Sequence, residues 1–167
     1  ERGREISPNA QGLLDLHTID TNNIDPRLAK TRIEVASDVD NPLLGPRGAA
    51  AIFGPQKGAD PAMVSVLEQA LTRLAEVVRN SVGKDIASFP GSGAAGGLAA
   101  GFSIISPVVV RPGIELVLDT INFASHLQGA DLVFTGEGKI DGQSVMGKAL
   151  SGIARLAGQA NVPVIAL

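Results

Sequence analysis

The sequence has no cysteine, tryptophan or tyrosine, and only two histidines among its 167 residues. Without cysteine, the chain has no disulfide, no thiolate metal ligand and no cysteine nucleophile. The two histidines, His17 and His126, are too few for a histidine-rich zinc site, and we expect neither to be catalytic. Five phenylalanines do not make an aromatic platform for stacking nucleic-acid bases.

An excess of positive charge and long hydrophobic runs are also missing. The 14 Lys and Arg residues against 17 Asp and Glu give a net charge of -3, which argues against a nucleic-acid partner. No apolar run approaches the roughly 18 residues of a membrane-spanning helix, and no signal peptide opens the sequence. We therefore expect a cytoplasmic protein with no membrane partner. An apolar content of 44% predicts a packed core rather than disorder.

The two ends of the sequence indicate a fragment. The chain begins with Glu1, and it closes on an apolar run at residues 162–167 that predicts a buried strand. Because a finished domain seldom ends on a strand with nothing after it to cover it, we expect a piece of a longer polypeptide.

Hydrophobic periodicity predicts mixed α/β structure in the first part of the chain. Residues 32–38 alternate apolar and polar side chains, as in a strand, and residues 107–112 predict an edge strand. Asp60 and Pro61 predict a helix start, and apolar residues at helical spacing continue to Gly83. The opposite face of that helix carries Glu68, Arg73 and Arg79.

The last part of the sequence predicts a βαβ unit. A helix over residues 113–128 is followed by a short strand at 130–134, a glycine-rich loop, a helix at 145–158 and a strand at 163–167. A strand–helix–strand order of this kind predicts a parallel sheet.

Loops at the ends of predicted elements carry the side chains suited to chemistry, and ligands of open α/β sheets gather at the carboxyl ends of strands. Asp38, Asp40 and Asn41 follow the first strand, where they can hold Mg²⁺ or orient a hydroxyl, or simply build a turn. Arg47 and Lys57 lie on the next two glycine loops, where they can bind a phosphate or carboxylate, or stay solvated.

Residues 91–96 read Gly-Ser-Gly-Ala-Ala-Gly and formally match the dinucleotide-binding pattern G-x-G-x-x-G. The context disfavours that function, because no strong strand precedes Gly91 and no acidic residue outside a predicted helix follows at the expected spacing. Gly93 and Gly96 instead predict either a helix N-terminus that faces an anion or tight helix packing. The sequence also lacks a Walker-type phosphate loop.

The fourth loop, residues 135–144, directly follows a predicted strand and precedes a helix. Glu137 and Asp141 can bind a metal ion or a substrate hydroxyl, and Lys139 or Lys148 can neutralise a phosphate. Such a loop at the carboxyl end of a parallel strand is the expected place for function in this class of fold.

Taken together, these motifs resemble those of bacterial glycerate kinases. Five of them occur in the family's order and roughly its spacing: Asp-Val-Asp-Asn-Pro-Leu at 38–43, Gly-Pro-Arg-Gly-Ala at 45–49, Phe-Gly-Pro-Gln-Lys-Gly-Ala at 53–59, Gly-Ala-Ala-Gly-Gly at 93–97 and Thr-Gly-Glu-Gly-Lys-Ile-Asp at 135–141. Ser37, Ser92 and Lys139 replace the Cys, Ala and Arg that are common in the family, and each keeps the size or charge class.

The resemblance implies a longer, two-domain protein, in which a Rossmann-like α/β domain is built from both ends of the chain and a second α/β domain is inserted. By that likeness, residues 1–128 are mostly the inserted domain, and residues 129–167 are a βαβ portion of the Rossmann-like parallel-sheet domain. The family's N-terminal region and an upstream glycine-rich loop are absent here, so we expect the isolated fragment to be inactive.

The resemblance also implies ATP-dependent phosphorylation of glycerate with Mg²⁺, and it favours 2-phosphoglycerate as the product. The catalytic candidates are Asp38, Asp40, Lys57 and Glu137. The candidates for binding substrate or phosphate are Asn41, Arg47, Gly93, Gly96, Gly136, Gly138, Lys139 and Asp141. Asp40 and Glu137 are alternative Mg²⁺ ligands, and the choice between base and metal ligand stays open.

Two other functions are alternatives. An NAD(P)-dependent oxidoreductase would use residues 91–96 as its pyrophosphate loop, and it requires a long strand just before Gly91. A non-catalytic module would hold an anion on the glycine-rich loops with no catalytic acid near it. The expected partners are a small-molecule substrate and a nucleotide, and the sequence makes no prediction of oligomeric state.

Overall fold

The computed structural model describes residues 3–136 and 148–167. These residues combine helices with short strands, which confirms the predicted mixed α/β class. The chain divides into two compact units, Glu1–Val110 and Arg111–Leu167. Among the described residues, no helix is both long enough and apolar enough to cross a membrane.

The first unit contains one long helix, two short ones and a small sheet. Its regular elements are β1 (Ile33–Ala36), α1 (Ala49–Phe53), α2 (Pro61–Val82), α3 (Leu98–Ile105) and β2 (Val108–Arg111), the last residue of which lies in the second unit. Strands β1 and β2 pair in a two-stranded sheet. Single turns of 3-10 helix lie at Gln11–Asp15, Leu28–Lys30, Pro55–Lys57 and Ala94–Gly96.

The long helix α2 begins and ends where the sequence predicts. The Asp60 carboxylate accepts a hydrogen bond from the Met63 backbone N–H at 2.7 Å, and Pro61 occupies the first turn. Gly83 ends the helix in the left-handed region at a φ of 74°. The local capping signals therefore fix both ends of the helix.

Removing the Asp60 cap is expected to destabilise the protein without changing its fold. Asp60→Ala leaves the Met63 N–H without its acceptor and should lower the free energy of unfolding by about 1 kcal/mol. Denaturant titration measures this loss. Asp60→Ser, which keeps a capping oxygen, is the matched control, and equal losses in the two variants would contradict the capping role.

The core of the first unit lies between α1, α2 and α3. The buried apolar side chains of this cluster are Leu43, Ala49, Ala75, Val78, Ile86 and Ala100. Leu43 is fully buried although it belongs to the loop between β1 and α1. The core therefore anchors the loop that carries the candidate carboxylates.

The second unit confirms the predicted βαβ arrangement. Its elements are α4 (Gly113–Thr120), α5 (Phe123–His126), β3 (Val133–Thr135), α6 (Lys148–Gln159) and β4 (Val164–Ala166). Strands β3 and β4 are parallel, with Val133 opposite Val164 and Thr135 opposite Ala166. Leu127, Ala157 and Val162 form a small buried cluster beside them.

Two expectations for this unit were wrong in detail. The helix predicted over residues 113–128 is two helices, because Asn122 adopts a left-handed conformation (φ 50°) between α4 and α5. Asparagine tolerates that conformation better than most residues.

The terminal apolar run is only partly buried. Val162 is buried, but Ile165 is 43% and Leu167 75% exposed. Successive side chains of a strand face opposite ways, and α6 packs against β4. In the described part of the chain, the apolar run at residues 162–167 is therefore not buried on both faces, whereas the sequence predicted a buried strand.

Candidate functional site

The loop that follows β1 brings together three of the candidate residues. The Arg47 guanidinium donates from Nη2 to Asp40 Oδ1 at 3.1 Å, and the Asn41 amide donates from Nδ2 to the Arg47 carbonyl oxygen at 2.8 Å. Asp38 lies two residues before Asp40, at the carboxyl end of β1. A carboxylate, an amide and a guanidinium thus share one small surface.

This surface is open to solvent. The side chains of Arg47 and Asp40 are 70% and 75% exposed. An exposed ion pair of this kind contributes only about 0–1 kcal/mol to stability. The pair can therefore open at little cost, and both charges can turn to a bound ligand.

A second segment, residues 87–93, forms hydrogen bonds with this loop. The Leu43 backbone N–H donates to the hydroxyl of Ser92 at 2.9 Å and to the Ala87 carbonyl oxygen at 3.0 Å. The Gly93 N–H donates to the Asn41 carbonyl oxygen at 2.9 Å. Ser92 is fully buried, and its hydroxyl in turn donates to Ala87. These bonds fix the backbone on either side of Pro42.

The turn that presents Ala87 is itself ordered by a carboxylate. Asp85 accepts hydrogen bonds from the Ser88 hydroxyl and the Ala87 N–H. The Ser88 bond first, and the Ala87 bond second, lower the pKa of Asp85 from its ordinary value. Because the folded pKa is lowered, Asp85 contributes stability above its ordinary pKa, and this contribution is lost as the pH falls through the folded value.

Gly93 allows two backbone segments to touch. A Cβ at this position would overlap the Pro42 carbonyl oxygen, and it would lie 3.1 Å from the Asn41 carbonyl oxygen. The structure thus shows close packing of Gly93 against a loop rather than against a helix, and the anion-binding role stays a prediction. Gly97 lies close to a core side chain, because a Cβ there would lie 2.7 Å from Leu43 Cδ1.

Gly93→Ala is expected to damage both stability and activity. The added methyl group forces the Asn41–Pro42 backbone away and should cost roughly 2–3 kcal/mol of unfolding free energy, near the upper end for overpacking. Gly101→Ala is the matched control, because Gly101 lies in α3 with open space around its Cβ position. Thermal unfolding of both variants measures the difference, and equal melting temperatures would contradict the packing role.

Lys57 lies at the far end of α1 from Arg47. It is the last residue of the 3-10 turn Pro55–Lys57, its side chain is exposed, and Gly58 follows with a φ of 92°. Helix α1 has five residues, which corresponds to a rise of about 7.5 Å. The turn Ala94–Gly96, which contains the candidate Gly96, packs against α1.

The described residues 83–90, which precede Gly91, form no strand. A dinucleotide-binding loop requires a strand that leads directly into its first glycine. The prediction that no strong strand precedes Gly91, which disfavoured an oxidoreductase, is therefore confirmed for these residues.

Comparison with known proteins decides the family. The sequence model described as the glycerate kinase family matches residues 1–167. The chain belongs to the glycerate kinase family.

Individual glycerate kinases agree with this assignment. The chain is 46% identical to a glycerate kinase of Halalkalibacterium halodurans over 167 residues, which is all of this chain and 44% of that protein. It is 49% identical to a glycerate kinase of Haemophilus influenzae over 155 residues, 93% of this chain and 41% of that protein. Its identity to a glycerate 2-kinase of Escherichia coli is 42% over 165 residues, 99% of this chain and 43% of that protein.

A solved structure shares the fold. A crystal structure from Salmonella typhimurium LT2 that carries the name glycerate kinase 2 matches with a TM-score of 0.90 and 44% identity, over 99% of this chain and 44% of that one. The chain thus spans less than half the length of these glycerate kinases.

The fifth glycerate kinase motif, residues 135–141, lies mostly outside the described residues. Glu137, Gly138, Lys139 and Asp141 all belong to the part of the chain that the structure leaves undescribed. Gly136 is described; it follows β3, is exposed, and a Cβ on it would lie 3.2 Å from the Leu167 carbonyl oxygen. The roles expected for this loop stay predictions.

The described residues offer single carboxylates, and no cluster of them, to a magnesium ion. Within residues 3–136 and 148–167, no three His, Cys, Asp or Glu side chains are grouped so that they could hold a metal ion. Mg²⁺ in kinases usually takes only one or two carboxylates and completes its shell with phosphate oxygens and water. Asp40, an exposed carboxylate, fits that requirement.

The sequence analysis did not identify Glu68 and Ser92 as residues that bond to the loop after β1. Glu68 was placed on the outer face of α2, but it is half-buried and accepts a hydrogen bond from the Gly45 N–H at 2.6 Å. Its spacing from Val64 and Leu71, four and three residues away, already puts it beside the apolar stripe. No signal in the sequence pairs Ser92 with Leu43, since they are separated by 49 residues.

Proposed function

We propose that the complete protein transfers a phosphoryl group from ATP to a hydroxyl group of glycerate, and that the first unit of this chain binds the glycerate. The observation that carries this proposal is the exposed cluster of Asp40, Asn41 and Arg47 after β1. Membership of the glycerate kinase family supports the substrate and the reaction type.

The carboxylate and the attacking hydroxyl of glycerate each have a complementary side chain on this loop. The planar guanidinium of Arg47 can bind the carboxylate of glycerate through two parallel hydrogen bonds. The attacking hydroxyl needs a carboxylate that orients it and accepts its proton, and Asp38 or Asp40 can do so. When Arg47 turns to the substrate, the carboxylate of Asp40 becomes available for that hydroxyl.

Phosphoryl transfer depends on positioning and charge neutralisation more than on covalent chemistry. Lys57 is the candidate for stabilising the negative charge on the transferring group, because it is an exposed cation on a separate glycine-flanked turn. Mg²⁺, when bound, would neutralise phosphate charge, with Asp40 or Glu137 as its protein ligand. If Asp40 holds the metal ion, Asp38 and Glu137 are the remaining candidates for the base.

The proposal extends to the product of the reaction and to the domains of the protein. We propose 2-phosphoglycerate as the product, in line with the name of the Escherichia coli relative. We further propose that residues 1–128 are mostly an inserted domain, that residues 129–167 belong to a Rossmann-like domain, and that the isolated chain is inactive because the rest of that domain supplies nucleotide contacts.

Activity of the complete protein tests the proposal. ADP release should depend on both ATP and glycerate, and phosphorus NMR should identify the phosphorylated position in the product. Omitting either substrate is the control. If the folded, complete protein releases no ADP in a glycerate-dependent manner, the proposed function is wrong; a 3-phosphoglycerate product would overturn the positional assignment alone.

A further inference from the structure

Backbone and side-chain hydrogen bonds hold the turn that carries Arg47. The Gly48 N–H donates to the Gly45 carbonyl oxygen at 2.8 Å, and the Ala49 N–H donates to the Leu43 carbonyl oxygen at 3.0 Å. The Arg47 carbonyl oxygen accepts from Asn41 at 2.8 Å. The Gly45 N–H, at the start of the turn, donates to an acceptor from another element.

That acceptor is the carboxylate of Glu68 on α2. Glu68 Oε1 accepts the hydrogen bond from the Gly45 N–H at 2.6 Å. Gly45 itself has a φ of 90°, in the region that favours glycine. The contact therefore fixes the point where the chain reverses toward Arg47.

The second carboxylate oxygen of Glu68 adds a free-energy cost to this contact. Oε2 is buried, and within the described residues it has no hydrogen-bond partner. Burying a carboxylate oxygen without a donor opposes folding. Glu68 also lines a cleft of about 440 Å³ with Gly45, Ala51, Pro61, Val64, Ser65 and Gln69, so a shorter or apolar side chain would fit there.

From these contacts we infer that Glu68 is a positioning residue for glycerate binding, which acts by holding the turn at residues 45–48 so that Arg47 meets the substrate carboxylate. The inference rests on the proposed function. Glu68 contacts the backbone of the turn and, by this inference, acts on glycerate through that backbone. Its loss should therefore weaken glycerate binding and leave nucleotide binding unchanged.

Steady-state kinetics of the complete protein separate this role from a general loss of structure. Glu68→Ala should raise the KM for glycerate by about tenfold, as expected for a lost charge-assisted hydrogen bond. The KM for ATP should stay within twofold. Glu68→Gln keeps an acceptor oxygen for the Gly45 N–H and should restore most of the affinity for glycerate.

Glu76→Ala is the matched control on the same helix. Glu76 is exposed and lies 3.9 Å from Arg73, away from the turn. Its removal should change neither KM. A glycerate KM within twofold of wild type in Glu68→Ala would overturn the inference, and so would a parallel rise in both KM values. If Glu68→Ala fails to fold, Glu68→Asp, which is one methylene shorter, should show the same selective rise.

Hydrogen exchange tests the contact without any activity. In the complete protein, the peptide that covers residues 43–49 should exchange about tenfold faster in Glu68→Ala than in wild type, with no change in peptides of α3. Unchanged exchange at residues 43–49 would overturn the positioning role even in an active enzyme. Wild-type protein without glycerate-dependent ADP release would instead count against the proposed function.

Discussion

Asp40→Asn in the complete enzyme is expected to lower kcat by about 100-fold or more, the usual loss when a carboxylate that moves a proton or holds a metal ion becomes an amide. The change keeps the shape of the side chain and removes only its charge and basicity. Because the ion pair with Arg47 is exposed, the melting temperature should barely move. A coupled assay of ADP release at saturating glycerate and ATP measures kcat.

Asp15→Asn is the control for this prediction. Asp15 is an exposed carboxylate at the end of the 3-10 turn Gln11–Asp15. Its replacement should leave kcat within twofold of wild type. If Asp40→Asn also keeps wild-type kcat, Asp40 is neither base nor metal ligand, and Asp38 and Glu137 become the remaining carboxylate candidates.

Lys57→Ala is expected to lower kcat by about 100-fold, as is typical when one preorganised donor to the transition-state charge is removed. The loss should exceed any rise in the KM for ATP, because the charge to be stabilised develops during transfer. Lys57 is exposed, so the variant should fold normally.

Lys30→Ala provides the comparison for the loss of one positive charge. Lys30 is an exposed lysine at the end of another 3-10 turn, Leu28–Lys30. It should retain wild-type kinetics. Equal turnover in the two variants would show that Lys57 has no part in phosphoryl transfer.

The parts of the fold that the sequence predicted are those with local signals. Helix α2 has its cap, its first-turn proline and its terminal glycine within the helix or next to it. The βαβ unit follows from the order of its elements. The break at Asn122 was missed because its left-handed conformation carries no strong sequence signal, and apolar periodicity continues across it.

The candidate site also combines local features that the sequence predicts with long-range contacts that it does not. Asp40, Asn41 and Arg47 lie within eight residues of sequence, so their clustering could be expected from the loop itself. The contacts that hold the loop are long-range: Ser92 reaches Leu43 across 49 residues, and Glu68 reaches Gly45 across 23. Such pairs depend on how helices and turns pack, which residue types and spacing do not specify.

The central claim is that separate glycine-rich loops bring acidic and basic side chains together around glycerate and ATP. A crystal structure of the complete enzyme with glycerate and a non-hydrolysable ATP analogue tests it most directly. Arg47 should contact the glycerate carboxylate, Asp38 or Asp40 should lie within hydrogen-bond distance of its hydroxyl, and residues 137–141 should face the same cleft. Glycerate bound away from residues 38–47 would contradict the account.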